Sequence, residues 1–537
     1  MEQHIRQERY SLYLIAPRFE FKHYAAQQET SELIGKKRMT VPLQLPLVAA
    51  LTPSHYDVCI VDDEWEPPDA LPRPDLVGIT VLAATSGRAF EIADAYRAEG
   101  VPVVLGGTYA SFATEECLTH ADYVIIGEAE GAWQRFLSDF ENGCARQTYQ
   151  NSEFIPFRQS PTPRWDLVDS RDIMTVGVET SRGCVYKCNF CVVNKMFGTQ
   201  MRFRDVDDVI AEIETLPVKR VFFVADNFAI NKKYARRLVK RLRALRITWI
   251  CQSSIDIARD EALLREMAEA GCISILIGFE SLNERCLEAV EKTQNDVSDF
   301  ETAIRRIHAH GIHVLGSFIV GFDNDTSETF EFIHSFVRRN NLVYAMLNVL
   351  SVAPGTELFD RMNADDRIHV VDVSYRNGIF PCIRYKNMTQ TEILNGFFDT
   401  LEKLFSWDEI AERGIGLFEQ GTFLRGGNDR PPFWEKATVS FKLLRLFLFS
   451  KDVRKRRLFG RLFRLVRTNC LSINDMVIFL LNMEGYVRYV EKAHEYLPSV
   501  RAAVAAVDEQ IAVREITRAE TETGEKKIID VRSSAFR

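Results

Sequence analysis

The residues best suited to chemistry in this chain are three cysteines in one short stretch, Ser181-Arg182-Gly183-Cys184-Val185-Tyr186-Lys187-Cys188-Asn189-Phe190-Cys191. The spacing is C-x-x-x-C-x-x-C. Thiolates are the usual ligands of iron–sulfur clusters, and a short loop can wrap Cys184, Cys188 and Cys191 around one four-iron, four-sulfur cube. Three ligands leave one iron without a protein partner. That iron can chelate the amino and carboxylate groups of a methionine moiety and pass an electron to the adjacent sulfonium. Two other readings compete. A structural zinc site closes with four ligands, and no fourth Cys or His lies nearby. Three free thiols on one exposed loop would be open to oxidation.

Further candidates follow apolar runs that read as strands. One ends in Ala225-Asp226-Asn227, the next in Gln252-Ser253-Ser254, the next in Gly278-Phe279-Glu280-Ser281, and a fourth spans Gly316 to Gly321. A carboxylate such as Glu280 is costly to bury at a strand mouth without a partner, and a ribose diol or an ammonium group would suit it. Glycines such as Gly316 and Gly321 let a backbone approach a flat ring. Asn227 also suits a helix N-cap, and the two roles are compatible. Nearer the N-terminus, Val77-Gly78-Ile79-Thr80, Leu105-Gly106-Gly107-Thr108 and Gly127-Glu128-Ala129-Glu130 each follow a strand. A Gly-Gly pair there lets a large ligand sit on the backbone, although ordinary tight turns read the same way.

The elements that must position these residues form two alternating series. Strands at Ser11–Ala16, Asp57–Val61, Leu76–Thr80, Pro102–Leu105 and Tyr123–Ile126, with helices at Pro42–Leu51, Ser86–Ala98 and Ala129–Phe140, predict an α/β, doubly wound, Rossmann-like parallel sheet over residues 1–155. Ligands of such sheets bind beyond the carboxyl ends of the strands. Pro156, Pro161 and Pro163 mark an extended linker over 156–169. Strands at Met174–Thr180, Arg220–Ala225, Ile247–Gln252, Ile273–Phe279, His313–Val320 and Tyr344–Leu350 then predict a partial barrel of six strand–helix units over 170–385. Residues 386–537 read as mainly helical. Between Phe441 and Arg467, ten Lys and Arg residues interleave with Leu, Phe and Val, and Asp452 is the only acid. Either the apolar face packs on the barrel, or the segment lies on an anionic bilayer.

Composition sets the bounds. The chain has 537 residues, 46% apolar and 26% charged, with a net charge of −8. That is a globular composition whose overall charge is not built for nucleic acid. Met1 to Tyr10 lacks an apolar signal core, and no run is long enough to span a membrane, so a cytoplasmic protein is expected. Of eleven cysteines, the eight outside the triplet, such as Cys59, Cys251 and Cys272, are expected as small core residues.

The triplet after the first barrel strand, followed by strand-end residues in this order, resembles the radical S-adenosylmethionine superfamily. The glycine turns and proline linker resemble its cobalamin-binding class, which includes hopanoid methylases and the anaerobic cyclase of chlorophyll biosynthesis. The hopanoid C-2 methylase group is the nearest in appearance. The resemblance runs from about residue 11 to about residue 480. It implies a 4Fe-4S cluster on the three cysteines and S-adenosylmethionine against Phe190, Asp226, Asn227, Ser253, Glu280, Ser281, Gly316 and Gly321. Asp226 and Asn227 stand where the family often has Gly-Gly-Glu. Pro354-Gly355-Thr356-Glu357-Leu358 resembles the segment that closes the barrel. Cobalamin is implied against Thr80, Gly106, Gly107, Thr108, Gly127 and Glu128. None of the ten histidines follows an Asp by two positions, so a histidine ligand to cobalt is not expected.

The implied reaction is methyl transfer to an unactivated carbon. One S-adenosylmethionine methylates cobalamin, and the radical made from a second abstracts hydrogen from the substrate. A radical cyclase or another C–C bond-forming enzyme with the same cofactors is the alternative. A non-catalytic cobalamin sensor would have no need of an open iron. An external electron donor of the flavodoxin or ferredoxin type is implied. The expected substrate is a lipid or isoprenoid-like molecule, reached from the inner membrane face, with a tetrapyrrole or a polyketide-like product as alternatives. No catalytic acid or base can be named from the sequence.

Overall fold

The structure is a computed structural model. It describes residues 9–19, 28–169, 172–216, 218–369, 378–421, 439–468 and 470–523. The expectation for the N-terminus falls largely on residues 1–8, outside the described residues.

The first sheet holds β1 (Tyr10–Ala16), β2 (Tyr56–Asp62), β3 (Leu76–Thr80), β4 (Val103–Gly106), β5 (Tyr123–Ile126) and β6 (Thr148–Gln150). All pairings are parallel and the order is β2-β1-β3-β4-β5-β6. The period-2 alternation of β1 explains the two layers. Ile15 packs with Phe90 and Ala93 of helix Ser86–Ala98, while Leu12 and Leu14 face Leu45 of helix Gln44–Leu51 and Trp133 of helix Ala132–Glu141. The short strand β6 and the helices Thr108–Phe112 and Thr114–His120 escape the sequence reading, because segments this short carry little periodicity.

The proline-rich stretch is not a free extended linker. It packs down in two short 3-10 turns, and Trp165 is buried with its Nε1–H donating to Glu212 Oε1 at 2.8 Å. An indole offers more apolar area than an exposed linker would leave in water.

The second sheet holds β7 (Val176–Glu179), then, after a short ribbon of β8 (Ser181–Arg182) and β9 (Arg202–Phe203), β10 (Arg220–Val224), β11 (Thr248–Ser253), β12 (Cys272–Glu280), β13 (His313–Val320) and β14 (Tyr344–Val349). The six main strands lie in sequence order and all pair in parallel, as a partial barrel requires. Phe223, Phe228 and Trp249 pack against one another in tilted and edge-on contacts, with ring centres 5.3 to 5.5 Å apart in the core. Each buried aromatic of this kind contributes roughly 2–3 kcal/mol. The core continues without a break into helices Gln390–Leu404 and Ile473–Thr523 through Phe397, Leu401, Phe479 and Tyr486. The long helix also grips the first domain, with Lys492 Nζ 3.0 Å from the buried Glu29 Oε1.

Two expectations change on packing. Cys251, Cys272, Cys117, Cys286 and Cys382 are buried, but Cys59, Cys144 and Cys470 are exposed. Cys59 lies at an outward position of β2, the edge strand, where one face has no neighbour layer. In the basic segment, Leu443, Phe447, Leu458 and Leu462 are buried, as packing on the barrel side demands, while Phe441, Leu444, Leu448, Phe449, Val453 and Phe463 stay exposed. Lys455 is not a free cation. Its Nζ lies 2.7 Å from Glu484 Oε2 and above the Trp407 ring. Among the described residues, no helix is long and apolar enough to cross a membrane.

Candidate functional site

The cysteine loop is stapled at its base. Ser181 and Arg182 pair antiparallel with Phe203 and Arg202, so residues 183–201 form one closed excursion beyond β7. Gly183 has φ +92°, and a Cβ there would meet the carbonyl oxygens of Gln200 at 2.8 Å and Gly198 at 3.0 Å. Only glycine fits. Its N–H donates to Asp226 Oδ2 at 2.9 Å, tying the loop to the end of β10.

Further along, Cys184 N–H donates to Gly198 O and Cys191 N–H to Cys188 O, which curls the chain back on itself. Asn189 anchors the curl to the C-terminal end of helix Glu284–Ala289 through Val290 O and Ala289 O. Leu358 N–H, from the Pro354–Leu358 turn, donates to Asn189 O. That turn also presses on the first domain, where a Cβ on Gly355 would strike the Phe112 ring.

Cys188 is buried and Cys184 and Cys191 are half-buried. Burial raises the Cys184 thiol and pushes Cys191 up to about 11. Among the described residues no group of three or more His, Cys, Asp or Glu could hold a metal ion. A cube distributes its thiolates over different irons, so its ligands need not converge on one point. The donor set fits a cluster: three thiols on one loop, with Gln294 Nε2 3.7 Å from Cys188 Sγ and Lys292 Nζ 6.0 Å from the centre of the Phe190 ring.

The other barrel candidates surround this loop. Asp226 is largely desolvated, and burial raises its carboxyl to about 6. Asn227 is buried and fully engaged, donating to Ser254 Oγ at 2.8 Å and accepting from Ser253 Oγ at 3.0 Å. It is not the helix cap. Asn231 caps helix Lys232–Leu245 by accepting from Tyr234 N–H. Asn227 and Ser253 therefore lock the ends of β10 and β11 together.

Glu280 is buried, sits at φ +62° where β12 shifts register against β13, and accepts from Lys292 Nζ at 2.9 Å. Gly278 leaves the space into which this pair folds. Ser281 accepts from Asn283 N–H. Gly316 makes room for packing, since a Cβ would meet Phe279 and Phe318 at 3.1 Å. Gly321, at φ +105°, lies against Tyr385 and donates to Asp325 Oδ2.

The glycine turns of the first domain open onto a cleft of about 1120 Å³, counting its mouth. Thr80, Gly106, Gly107, Gly127 and Glu128 line it, together with Leu43, Leu45, Leu47 and Trp133. Thr108 starts a helix and does not line it. Gly127, at φ +78°, has open space where a Cβ would stand. A backbone cradle with apolar walls fits a large flat cofactor. Gly107, at φ +101°, is required by its own turn, because a Cβ would meet Val81 O at 2.9 Å. Glu179 at the end of β7, Arg182 of β8, and Met196 and Phe197 of the cysteine loop close the same cleft from the barrel side.

Sequence reasoning passed over Arg182, Glu130, Glu179, Lys292 and Gln294. Arg182 and Glu130 stood inside motifs already singled out, but their pairing joins two domains and leaves no local signal. Arg182 donates to Glu128 Oε1, Glu130 Oε1 and both oxygens of Glu179 at 2.8 to 2.9 Å.

Comparison with known proteins agrees with this arrangement. Residues 178–337 match the radical SAM superfamily model, and residues 39–137 match the B12 binding domain model. The chain is 26% identical over 405 residues to the bacteriochlorophyllide d C-12(1)-methyltransferase of Chlorobaculum tepidum, covering 73% of this chain and 88% of that one. It is 25% identical over 371 residues to the hopanoid C-2 methylase of Rhodopseudomonas palustris, covering 66% and 70%. Its fold is similar to that of the cobalamin-dependent S-adenosylmethionine radical enzyme OxsB with aqua-cobalamin bound. The TM-score there is 0.57 at 15% identity, over 89% of this chain and 84% of that one. The two domains imply a 4Fe-4S cluster, S-adenosylmethionine and cobalamin as cofactors. The cysteine loop thus lies in a radical SAM domain over residues 178–337, the glycine turns lie in a B12-binding domain over residues 39–137, and the two open on one cleft.

Proposed function

We propose that this protein is a cobalamin-dependent radical methyltransferase acting on an unactivated carbon of a lipid or isoprenoid-like substrate. The observation that carries the reading is the shared cleft, with glycine turns of the first domain on one side and the cysteine loop on the other. When bound, the cluster and S-adenosylmethionine supply hydrogen abstraction and cobalamin supplies the methyl group. The chain's own residues bind, orient and exclude water. Cys184, Cys188 and Cys191 are the ligand set. Asp226 and Glu280 are the acceptors for the methionine ammonium or the ribose, and Phe190 is the aromatic beside the adenine. Leu43, Leu45, Leu47, Met196 and Phe197 keep the cleft dry.

The apolar walls suit an apolar substrate, and the exposed Phe441, Leu448, Phe449 and Phe463 among arginines suit peripheral docking on an anionic bilayer. Reduced, reconstituted enzyme given cell lipid extract and methyl-labelled S-adenosylmethionine should yield one labelled product by mass spectrometry. Protein with Cys184, Cys188 and Cys191 all changed to Ala should yield none and hold no cluster. A ring-closed product without label would replace this reading by a radical cyclase. A labelled tetrapyrrole would change the substrate but not the reaction.

A further inference from the structure

The buried charge cluster between the domains lies where the two cofactor regions meet. Arg182 is two residues before Cys184, and Glu128 directly follows Gly127, whose open face looks into the cleft. Both stalks of the cysteine loop hold Glu128. Arg182 grips it from β8, and Arg202 Nη1 reaches both of its carboxylate oxygens from β9, at 2.8 and 2.9 Å. Arg202 Nη1 also donates to Ile155 O, so the start of the proline-rich stretch joins the same knot.

Arg182 engages three carboxylates with four N–H···O contacts and lies over the Phe157 ring at 4.6 Å. Its side chain is 5% exposed and those of Glu128 and Glu130 are 3% and 4% exposed. Glu130 also accepts from Ser160 Oγ at 2.7 Å.

A stabilising contact could sit anywhere on the domain boundary. This one fixes, through a planar fork, the residue that leads into the first cysteine and the residue that follows the cleft glycine. A guanidinium holds several carboxylates in one geometry, whereas an ammonium on a flexible stem does not. Gly183, whose N–H is held by Asp226 Oδ2 at 2.9 Å, is the single residue between Arg182 and Cys184.

We infer that Arg182 is a positioning residue that holds the cluster loop at one fixed separation from the corrinoid cleft, so that hydrogen abstraction and methyl delivery stay in register. This rests on the ligand set and cleft assigned under the proposed function.

The test uses full-length holoenzyme with cob(II)alamin and reduced cluster, both paramagnetic, and reads their separation by pulsed dipolar spectroscopy. Wild-type protein should give one narrow distance. Arg182→Lys should broaden or split it at full iron and corrinoid content. In parallel, the ratio of 5′-deoxyadenosine released to methyl transferred should rise on the order of tenfold, since small misplacements of reacting groups cost at least that much. Should Arg182→Lys lose iron, Glu130→Ala removes one acceptor of the guanidinium and no cation, and should broaden the distance in the same direction. An unchanged distance and ratio in a fully loaded variant would overturn the inference. Wild-type protein that binds no corrinoid would instead sink the proposed function.

Discussion

Lys292 Nζ stands 2.9 Å from Glu280 Oε1, and both side chains are nearly buried, at 13% and 10% exposed. The carboxylate at the mouth of β12 therefore carries a partner before any ligand arrives. Glu280 holds φ +62°, a conformation that costs a non-glycine residue of order 1–3 kcal/mol, so the surrounding register shift and the lysine together keep it in place.

Removing one member should hurt more than removing both. Lys292→Met leaves a buried, unpaired carboxylate and should cost about 3 kcal/mol in urea denaturation of the cofactor-free protein. The double variant Lys292→Met with Glu280→Gln should recover most of that loss. If Glu280 contacts the cofactor as proposed, the double variant should still bind S-adenosylmethionine more weakly while iron content stays normal. Equal stability of the single and double variants would show that the pair is not coupled.

Asp226 gives a pH dependence. Burial is the main cause of its raised pKa of about 6. The folded value lies above that of an unfolded Asp, about 3.9. Its contribution to stability is therefore fully present below pH 4 and lost as pH rises through about 6. Binding an ammonium needs the ionised form and runs the other way. Affinity for S-adenosylmethionine should fall about tenfold per pH unit below 6 and level off above 7. Titration calorimetry across pH 5 to 8 should find this slope in the wild type and none in Asp226→Asn.

The cleft proposed to hold the corrinoid can be closed at Gly127. A leucine there would fill open space and sit at φ +78°, so Gly127→Leu should weaken corrinoid binding at least about tenfold. Iron content should stay unchanged. Among the described residues no histidine lines the cleft, and the bound cofactor's spectrum should lack a histidine nitrogen on cobalt. A histidine signature would redirect attention to residues outside this cleft.

Membrane docking should depend on the exposed cations rather than on Lys455. Lys442→Glu, Arg445→Glu, Arg457→Glu and Arg464→Glu together should reduce flotation with anionic liposomes. Each cation contributes on the order of 1 kcal/mol at low salt, so the effect should be large there and shrink at high salt. Lys455→Glu should instead destabilise the fold, because it sets a second acid against Glu484. Indifference of the wild-type protein to anionic liposomes would leave the lipid substrate without its route of access.

The sequence by itself determined the cysteine triplet, the parallel α/β class of both sheets and the turns that end most of their strands. These are local facts. Spacing within one loop is read directly from the chain, and short apolar runs between helical stretches mark parallel strands, as His313–Val320 and Leu76–Thr80 illustrate. Only the tertiary structure decided which side chains those turns engage. Asn227 bonds across to Ser253 rather than capping a helix, Glu280 meets Lys292, and Glu128 and Glu130 meet Arg182 from 54 and 52 positions away. Pairings of this kind depend on how two sheets face each other, and nothing in the local pattern of either partner encodes that. The same reason separates Phe447 from Phe449. Both are phenylalanines in one basic, apolar segment, yet the first is fully buried and the second is 76% exposed, because the helices beneath cover only one side of it.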